Sequence, residues 1–290
     1  MFDINDVRTL RDKTGAGVLD CKKALEASEG NMDKAVDYLR EKGISKAAKK
    51  ESRIAAEGIS EIFIDGNKAV ILEVNSETDF VAKNDEFKNF VKTIGEALLK
   101  AGVTTMEEAL EVKVGDETIN TLNVNLVAKL GEKISFRRFE YVEKADNEIF
   151  GAYTHMGGKI STLSVIEGAN EEVARDVSMH ITAQRPLYIN RDEVPSDVID
   201  HEKEIIKEQA INEGKPEAIA EKMVNGRINK YYSEVCVLEQ EYVKDPDITV
   251  GKYLEDNKGV LKKMVRFEVG EGIEKRNENF AEEVQKQING

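Results

Sequence analysis

Two stretches of this chain repeat one another. Leu72-Glu73-Val74, followed by Asn84-Asp85-Glu86-Phe87, returns as Leu163-Ser164-Val165, followed by Asn170-Glu171-Glu172-Val173. In both copies a β-hairpin is expected before the first element and an amphipathic helix after the second. The first hairpin turns at Asp65-Gly66 and the second around Met156-Gly157-Gly158, where glycine tolerates the positive φ of a tight turn. Asn84 and Asn170 each open a helix, because the side-chain carbonyl can accept an orphan backbone N–H. The helices run over 85–100 and 171–184, and the first places Phe87, Phe90, Val91, Ile94 and Leu98 on one face. Such a chain is constrained to an α+β fold whose core holds two duplicated β-hairpin–helix units.

The copies differ in one place. Val74 to Asn84 is a step of ten residues, whereas Val165 to Asn170 is a step of five. The surplus covers Thr78, Asp79, Phe80 and Val81. If the fold needed these residues, the second copy would need them too, so a partner explains them better than packing does. They set a large apolar pair, Phe80-Val81, behind a carboxylate in a kind of connection that is normally short and polar. An aromatic side chain carried toward solvent in this way serves a partner. The competing reading folds Phe80 back under the helix as ordinary core.

The rest of the chain parses around this core. Upstream, three short helical patterns make a compact bundle. They cover 4–13, ending at Thr14-Gly15-Ala16-Gly17, then 18–27, then a stretch capped by Asn31 that carries Met32, Ala35, Val36 and Leu39 and stops at Gly43. A basic cluster, Lys46, Lys49, Lys50 and Arg53, marks the boundary and reads as a solvated helix or linker rather than an RNA contact. Between the two copies, 124–130 is expected to be helical and 134–142 a strand bulged at Arg137-Arg138. Beyond the second copy, helices over 196–211 and 217–235 are broken at Gly214-Lys215-Pro216. Ile205, Ile206, Ala210, Ile219, Met223, Ile228 and Tyr232 would line the seam of an antiparallel hairpin. A helix over 249–257, a strand over 260–269 and an amphipathic helix with Phe280, Val284 and Ile288 close the chain.

The domains expected are therefore an N-terminal three-helix domain over 1–53, a first core subdomain over 54–143, and a second core subdomain over 144–186 that resumes over 236–270. The helical hairpin over 187–235 interrupts the second subdomain, and a C-terminal helical module covers 271–290.

Composition excludes several function classes. A chain of 290 residues with 34% charged and 40% hydrophobic residues can bury a good core and is expected to be an ordinary soluble protein. No apolar run is long enough to cross a bilayer, and Met1-Phe2-Asp3-Ile4-Asn5-Asp6 lacks the regions of a signal peptide. The two cysteines, Cys21 and Cys236, lie too far apart in sequence for a disulfide framework or a zinc spacing, so a cytoplasmic location is expected. A net charge of −14 argues against a direct grip on nucleic acid.

Catalysis finds little to work with. None of His155, His180 and His201 has a partner at metal-ligand spacing, and neither cysteine has a histidine nearby in sequence. Gly158-Lys159 has Tyr153 where a phosphate loop needs glycine, and Gly15-Ala16-Gly17 and Gly270-Glu271-Gly272 lack the third glycine of a dinucleotide fingerprint. No catalytic residue, metal ligand or cofactor is expected, and the chain is not expected to be an enzyme. An enzymatic site assembled from distant residues, such as Cys236 and His180, is left open.

Thr14-Gly15-Ala16-Gly17-Val18-Leu19-Asp20-Cys21-Lys22-Lys23-Ala24-Leu25 resembles the opening signature of the bacterial elongation factor Ts family. Leu72-Glu73-Val74-Asn75, continuing through Thr78-Asp79-Phe80-Val81-Ala82-Lys83, resembles it equally. Ile219-Ala220-Glu221-Lys222-Met223-Val224 and Arg266-Phe267-Glu268-Val269-Gly270-Glu271-Gly272-Ile273-Glu274-Lys275 extend the likeness over essentially the whole chain. Met156-Gly157-Gly158, which lengthens the second hairpin tip, and Glu77 before the surplus segment depart from the pattern.

The resemblance implies a guanine-nucleotide exchange factor that binds elongation factor Tu in its GDP and nucleotide-free forms. It implies that the N-terminal bundle is ubiquitin-associated-like and meets the partner's GTPase domain, with Val18 and Leu19 as contacts. Thr78, Asp79, Phe80 and Val81 would enter that domain beside its Mg²⁺ site, and His155 would add a contact. The helical hairpin could carry self-association into a homodimer. The alternative is a passive adaptor or chaperone of a GTPase.

Overall fold

Side-chain caps set where the main helices begin. Asn31 Oδ1 accepts from Lys34 N at 3.0 Å, Asn84 Oδ1 from Glu86 N at 2.8 Å and Asn170 Oδ1 from Val173 N at 3.0 Å. The caps expected at Asn84 and Asn170 are therefore present. The computed structural model describes residues 2–14 and 16–274, with Lys46 described by its backbone alone. These residues divide into two units, one of residues 2–63, 72–141 and 268–274, the other of 64–71 and 142–267.

Three helices open the chain: α1 (Ile4–Thr14), α2 (Val18–Ala27) and α3 (Met32–Ala48). They close around Leu10, Cys21, Ala24, Leu25 and Ala35. Then follow β1 (Glu57–Asp65), β2 (Lys68–Ser76), α4 (Asp79–Lys83), α5 (Asp85–Ala101), α6 (Met106–Glu111), β3 (Lys113–Val114), β4 (Glu117–Thr118), α7 (Ile119–Leu130) and β5 (Ile134–Glu143). The strands run in the order β1-β2-β5, with β3 and β4 forming a separate small hairpin. As the central strand, β2 is buried from Ala69 to Ser76, which explains its unbroken apolar run Ala-Val-Ile-Leu.

Two expectations for this region need correction. Helix α3 does not stop at Gly43 but continues to Ala48. Gly43 is buried where α3 packs on α7, with Ala128 and Val124 around it, and that packing overrides glycine's low helix propensity. Helix α7 begins at Ile119, not 124, because Thr118 Oγ1 accepts from Thr121 N at 3.2 Å and starts it earlier. The five apolar residues expected on one face of α5 are all buried. Gly95 joins them because any Cβ there would stand 2.1 Å from the Phe63 ring.

The second half of the chain forms β6 (Glu148–His155), β7 (Ile160–Glu167), α8 (Glu171–Gln184), α9 (Ser196–Asn212), α10 (Glu217–Val235), β8 (Glu241–Tyr242), β9 (Asp245–Thr249), α11 (Val250–Asp256) and β10 (Val260–Glu268). Short 3-10 turns lie at Arg191–Glu193 and Val237–Glu239. The main sheet runs β10-β7-β6, and its hairpin places Phe150 opposite Val165 and His155 opposite Ile160. Ile166, Val173, Val177, Ile181 and Leu254 belong to its core. In the α9–α10 hairpin, Ile206, Ala210 and Ile228 are buried as expected. Ile219 is not: it is 47% exposed, and its neighbour Ala220 takes the buried position. Among the described residues, no helix is long and apolar enough to cross a membrane. The helix expected to carry Phe280, Val284 and Ile288 lies outside the described residues.

Two of the quoted motifs meet inside the first unit. The Glu73 carboxylate is fully buried and accepts from Arg137 Nη1 at 3.0 Å, Arg138 Nε at 2.6 Å, Asn75 Nδ2 at 2.9 Å and Gly270 N at 2.8 Å. Arg138 Nη2 also reaches Glu268 O at 3.2 Å. Gly270 has φ +76°, and a Cβ there would lie 2.3 Å from Ala56 O, so only glycine lets the chain approach closely enough to donate. The segment after β10 is thus tied to β2, directly behind the residues that lead into α4.

Candidate functional site

Residues 78–81 build the first turn of a short helix rather than an irregular loop. Thr78 is the N-cap of α4, and its Oγ1 accepts from Val81 N at 3.3 Å. Ser76 Oγ donates to Thr78 O at 2.9 Å, which fixes the entry from β2. Ala82 is buried and anchors the turn, while Asn84 ends α4 and caps α5. With Ala82 facing inward, Phe80 points outward and is 80% exposed. The reading that folds Phe80 back into the core is therefore wrong. Asp79 Oδ2 pairs with Lys83 Nζ at 2.6 Å across one turn, and Val81 is half-buried.

A second stretch of chain grips this turn. Thr78 donates twice to the Glu132 carboxylate, from its backbone N at 3.0 Å and from its Oγ1 at 2.7 Å. In return, Glu77 Oε1 accepts from Lys133 N at 2.5 Å and from Arg53 Nη1 at 3.2 Å. Lys50 Nζ donates to Gly131 O and Lys133 Nζ to Glu51 O. Two members of the basic cluster, Lys50 and Arg53, thus hold the segment after α3 against α7 and the approach to α4. They are not merely solvated. Nothing in the spacing of Glu132 or Lys133 connects them with residues more than fifty positions away, so pattern reading misses both.

Comparison with known proteins decides what kind of molecule carries this turn. The family model described as elongation factor TS matches residues 77–271, a span that begins one residue before Thr78. A protein named elongation factor Ts from Limosilactobacillus fermentum is 53% identical, with 98% of this chain and 97% of that protein covered. One of the same name from Pediococcus pentosaceus is 54% identical with 97% of each covered, and one from Limosilactobacillus reuteri is 51% identical with 98% and 97% covered. The chain belongs to the elongation factor Ts family.

The other residues expected from the resemblance, Val18, Leu19 and His155, are on the surface. Val18 and Leu19 sit in the first turn of α2, and Leu19 is 74% exposed. His155 ends β6 at the hairpin tip, exposed and stacked on Tyr153 at 6.2 Å. Val18 and Leu19 share a unit with 78–81, whereas His155 belongs to the other.

The enzymatic pairing of Cys236 with His180 fails on chemistry. Burial pushes the Cys236 thiol up to about 11. At neutral pH only about one such thiol in ten thousand is the reactive thiolate. His180 is fully buried and both ring nitrogens are engaged: Nδ1 accepts from Val243 N at 3.2 Å, so Nε2 carries the proton toward Gln240 Oε1 at 2.9 Å. Tyr242 and Lys244 reach Asp176 on the same helix at 3.2 Å and 2.6 Å. His180 is a structural pin between α8 and the β8–β9 corner.

Proposed function

We propose that the chain does its family's work, guanine-nucleotide exchange on elongation factor Tu, by inserting the α4 turn beside that partner's Mg²⁺ site. The observation that carries this reading is an aromatic side chain, Phe80, 80% exposed on a turn whose entry is fastened at both the N–H and the carbonyl of Thr78. A mobile backbone would lose conformational freedom on docking, whereas a fastened one has already given it up.

The second copy of the hairpin–helix unit supports the assignment. In each sheet a later strand lies beside the second strand of a hairpin, β5 beside β2 and β10 beside β7, a likeness that favours reading the two as copies. Between β7 and α8 stand only Gly168, Ala169 and Asn170, so α4 is the part that one unit has and the other lacks. Function rather than folding explains such a surplus.

GDP is held on such a partner by backbone amides and a Mg²⁺ ion that demands near-ideal octahedral coordination. A wedge at that site need displace the coordinating groups only slightly to weaken the nucleotide. The coupling is reciprocal, so GDP weakens the factor's grip by the same ratio. Each tenfold weakening takes about 1.4 kcal/mol from the interface. Val18, Leu19 and His155 supply further contact, and the α9–α10 hairpin serves self-association. The chain works in the cytoplasm with no cofactor, catalyses no covalent chemistry and makes no direct contact with nucleic acid.

A passive adaptor would bind elongation factor Tu and leave its nucleotide in place. Stopped-flow release of fluorescent GDP separates the two: acceleration that saturates with the chain's concentration supports exchange, and binding without acceleration refutes it.

A further inference from the structure

We propose that Glu132 is the residue that aims the exchange turn. This inference rests on the exchange reading above and adds to it a positioning residue lying outside the surplus segment.

Threonine has one hydroxyl proton and two lone pairs. In this structure the proton goes to Glu132 Oε1 at 2.7 Å, which turns a lone pair of Thr78 Oγ1 toward Val81 N at 3.3 Å. The other carboxylate oxygen of Glu132 holds Thr78 N at 3.0 Å. Glu132 therefore fixes both the backbone of the N-cap and the orientation of its capping oxygen. Those two constraints set the start of α4 and, two residues later, the direction of Phe80.

The grip is reciprocal. Glu77 Oε1 takes Lys133 N at 2.5 Å while Glu132 takes Thr78 N, so neighbouring residues on each stretch exchange carboxylate-to-amide bonds. Gly131, at φ +78°, ends α7 and turns the chain so that Glu132 can reach across. A helix of only five residues has too few internal hydrogen bonds to hold its own direction. Without Glu132 the turn would keep its anchor at Ala82 but lose its aim; the other contacts still form the complex, so the release rate within it falls with the fraction of turns that point correctly.

The test titrates the full-length chain into elongation factor Tu loaded with fluorescent GDP and reads both the maximal release rate and the half-saturating concentration. Glu132→Ala is expected to lower the maximal rate roughly tenfold, as befits loss of two charge-assisted bonds partly replaced by water, and to move half-saturation less than about twofold. Thr78→Val, which removes the Oγ1 bond and the cap but leaves Thr78 N on Glu132, should also lower the maximal rate. The double variant should lose less than the product of the two single losses, because both remove the Oγ1–Oε1 bond. Glu132→Gln, which keeps one acceptor, should fall between. Should Glu132→Ala fail to fold by circular dichroism, Glu132→Gln and Thr78→Val complete the cycle. An unchanged maximal rate, a rise in half-saturation at full rate, or losses that multiply in the double variant would each overturn the role. A wild-type chain that fails to accelerate release would sink the exchange reading and this one together, whereas acceleration with Glu132→Ala equal to wild type sinks this one alone.

Discussion

Arg138 Nε meets the Glu73 carboxylate at 2.6 Å in a sheet interior where Glu73 has no exposure at all. A buried carboxylate survives only if its lone pairs are filled, and here two arginines, an asparagine and a backbone amide fill them. Removing the acid strands these donors. The arginines are only about one-third exposed, so water compensates them in part. Glu73→Ala is expected to cost about 2–4 kcal/mol, read as a lower urea midpoint. A midpoint unchanged from wild type would mean that the donors find other partners.

Much of this architecture could be read from local signals. Asn84 and Asn170 announce helices because a cap acts within three residues, and the apolar face of α5 follows from its period alone. Helix α4 escaped because five residues are too few to show a period. Gly43 misled because a tertiary contact with α7 outweighs a local preference. The grip of Glu132 on Thr78 spans fifty-four positions and leaves no mark on either neighbourhood. The exposure of Phe80 was legible only by setting one hairpin–helix unit against the other.

Burial holds His180 below its ordinary value, against a smaller opposing effect of the Gln240 hydrogen bond. The unfolded chain takes up a proton on this ring near pH 6.5, the folded chain only at lower pH. This contribution to stability is complete above pH 6.5 and is lost as pH falls below it, at up to about 1.4 kcal/mol per pH unit within the window. Urea midpoints at pH 7.5 and 5.5 should separate more for wild type than for His180→Phe. Equal separation would remove His180 as a source of acid sensitivity.

Two glycines in helices should respond oppositely to alanine. At Gly95 the new Cβ would stand 2.1 Å from the Phe63 ring, so the ring or helix must move, at about 1–3 kcal/mol. At Gly226 in α10 nothing lies within 4 Å, and alanine's helix propensity should stabilise by about 0.5–1 kcal/mol. Thermal unfolding of both variants checks this, and a shift in the same direction for both would contradict it.

Asp79 is already paired with Lys83 on the surface, and an exposed pair of this kind is worth under about 1 kcal/mol. It is easily exchanged for a partner's group and as easily replaced by water. Asp79→Ala should therefore slow GDP release by only a few-fold, less than loss of the neighbouring ring. A larger loss at Asp79 than at Phe80 would shift the main lever to the carboxylate.

Fluorescent GDP release from elongation factor Tu, driven by wild-type chain and by Phe80→Ala, puts the wedge to trial. Burying a phenyl side chain is worth about 1.5–3 kcal/mol, so release should slow roughly ten- to hundredfold at equal concentration. Because Phe80 is 80% exposed, the variant should unfold at the wild-type temperature. A folded Phe80→Ala chain that frees GDP as fast as wild type would show that nucleotide is displaced by some other part of the molecule.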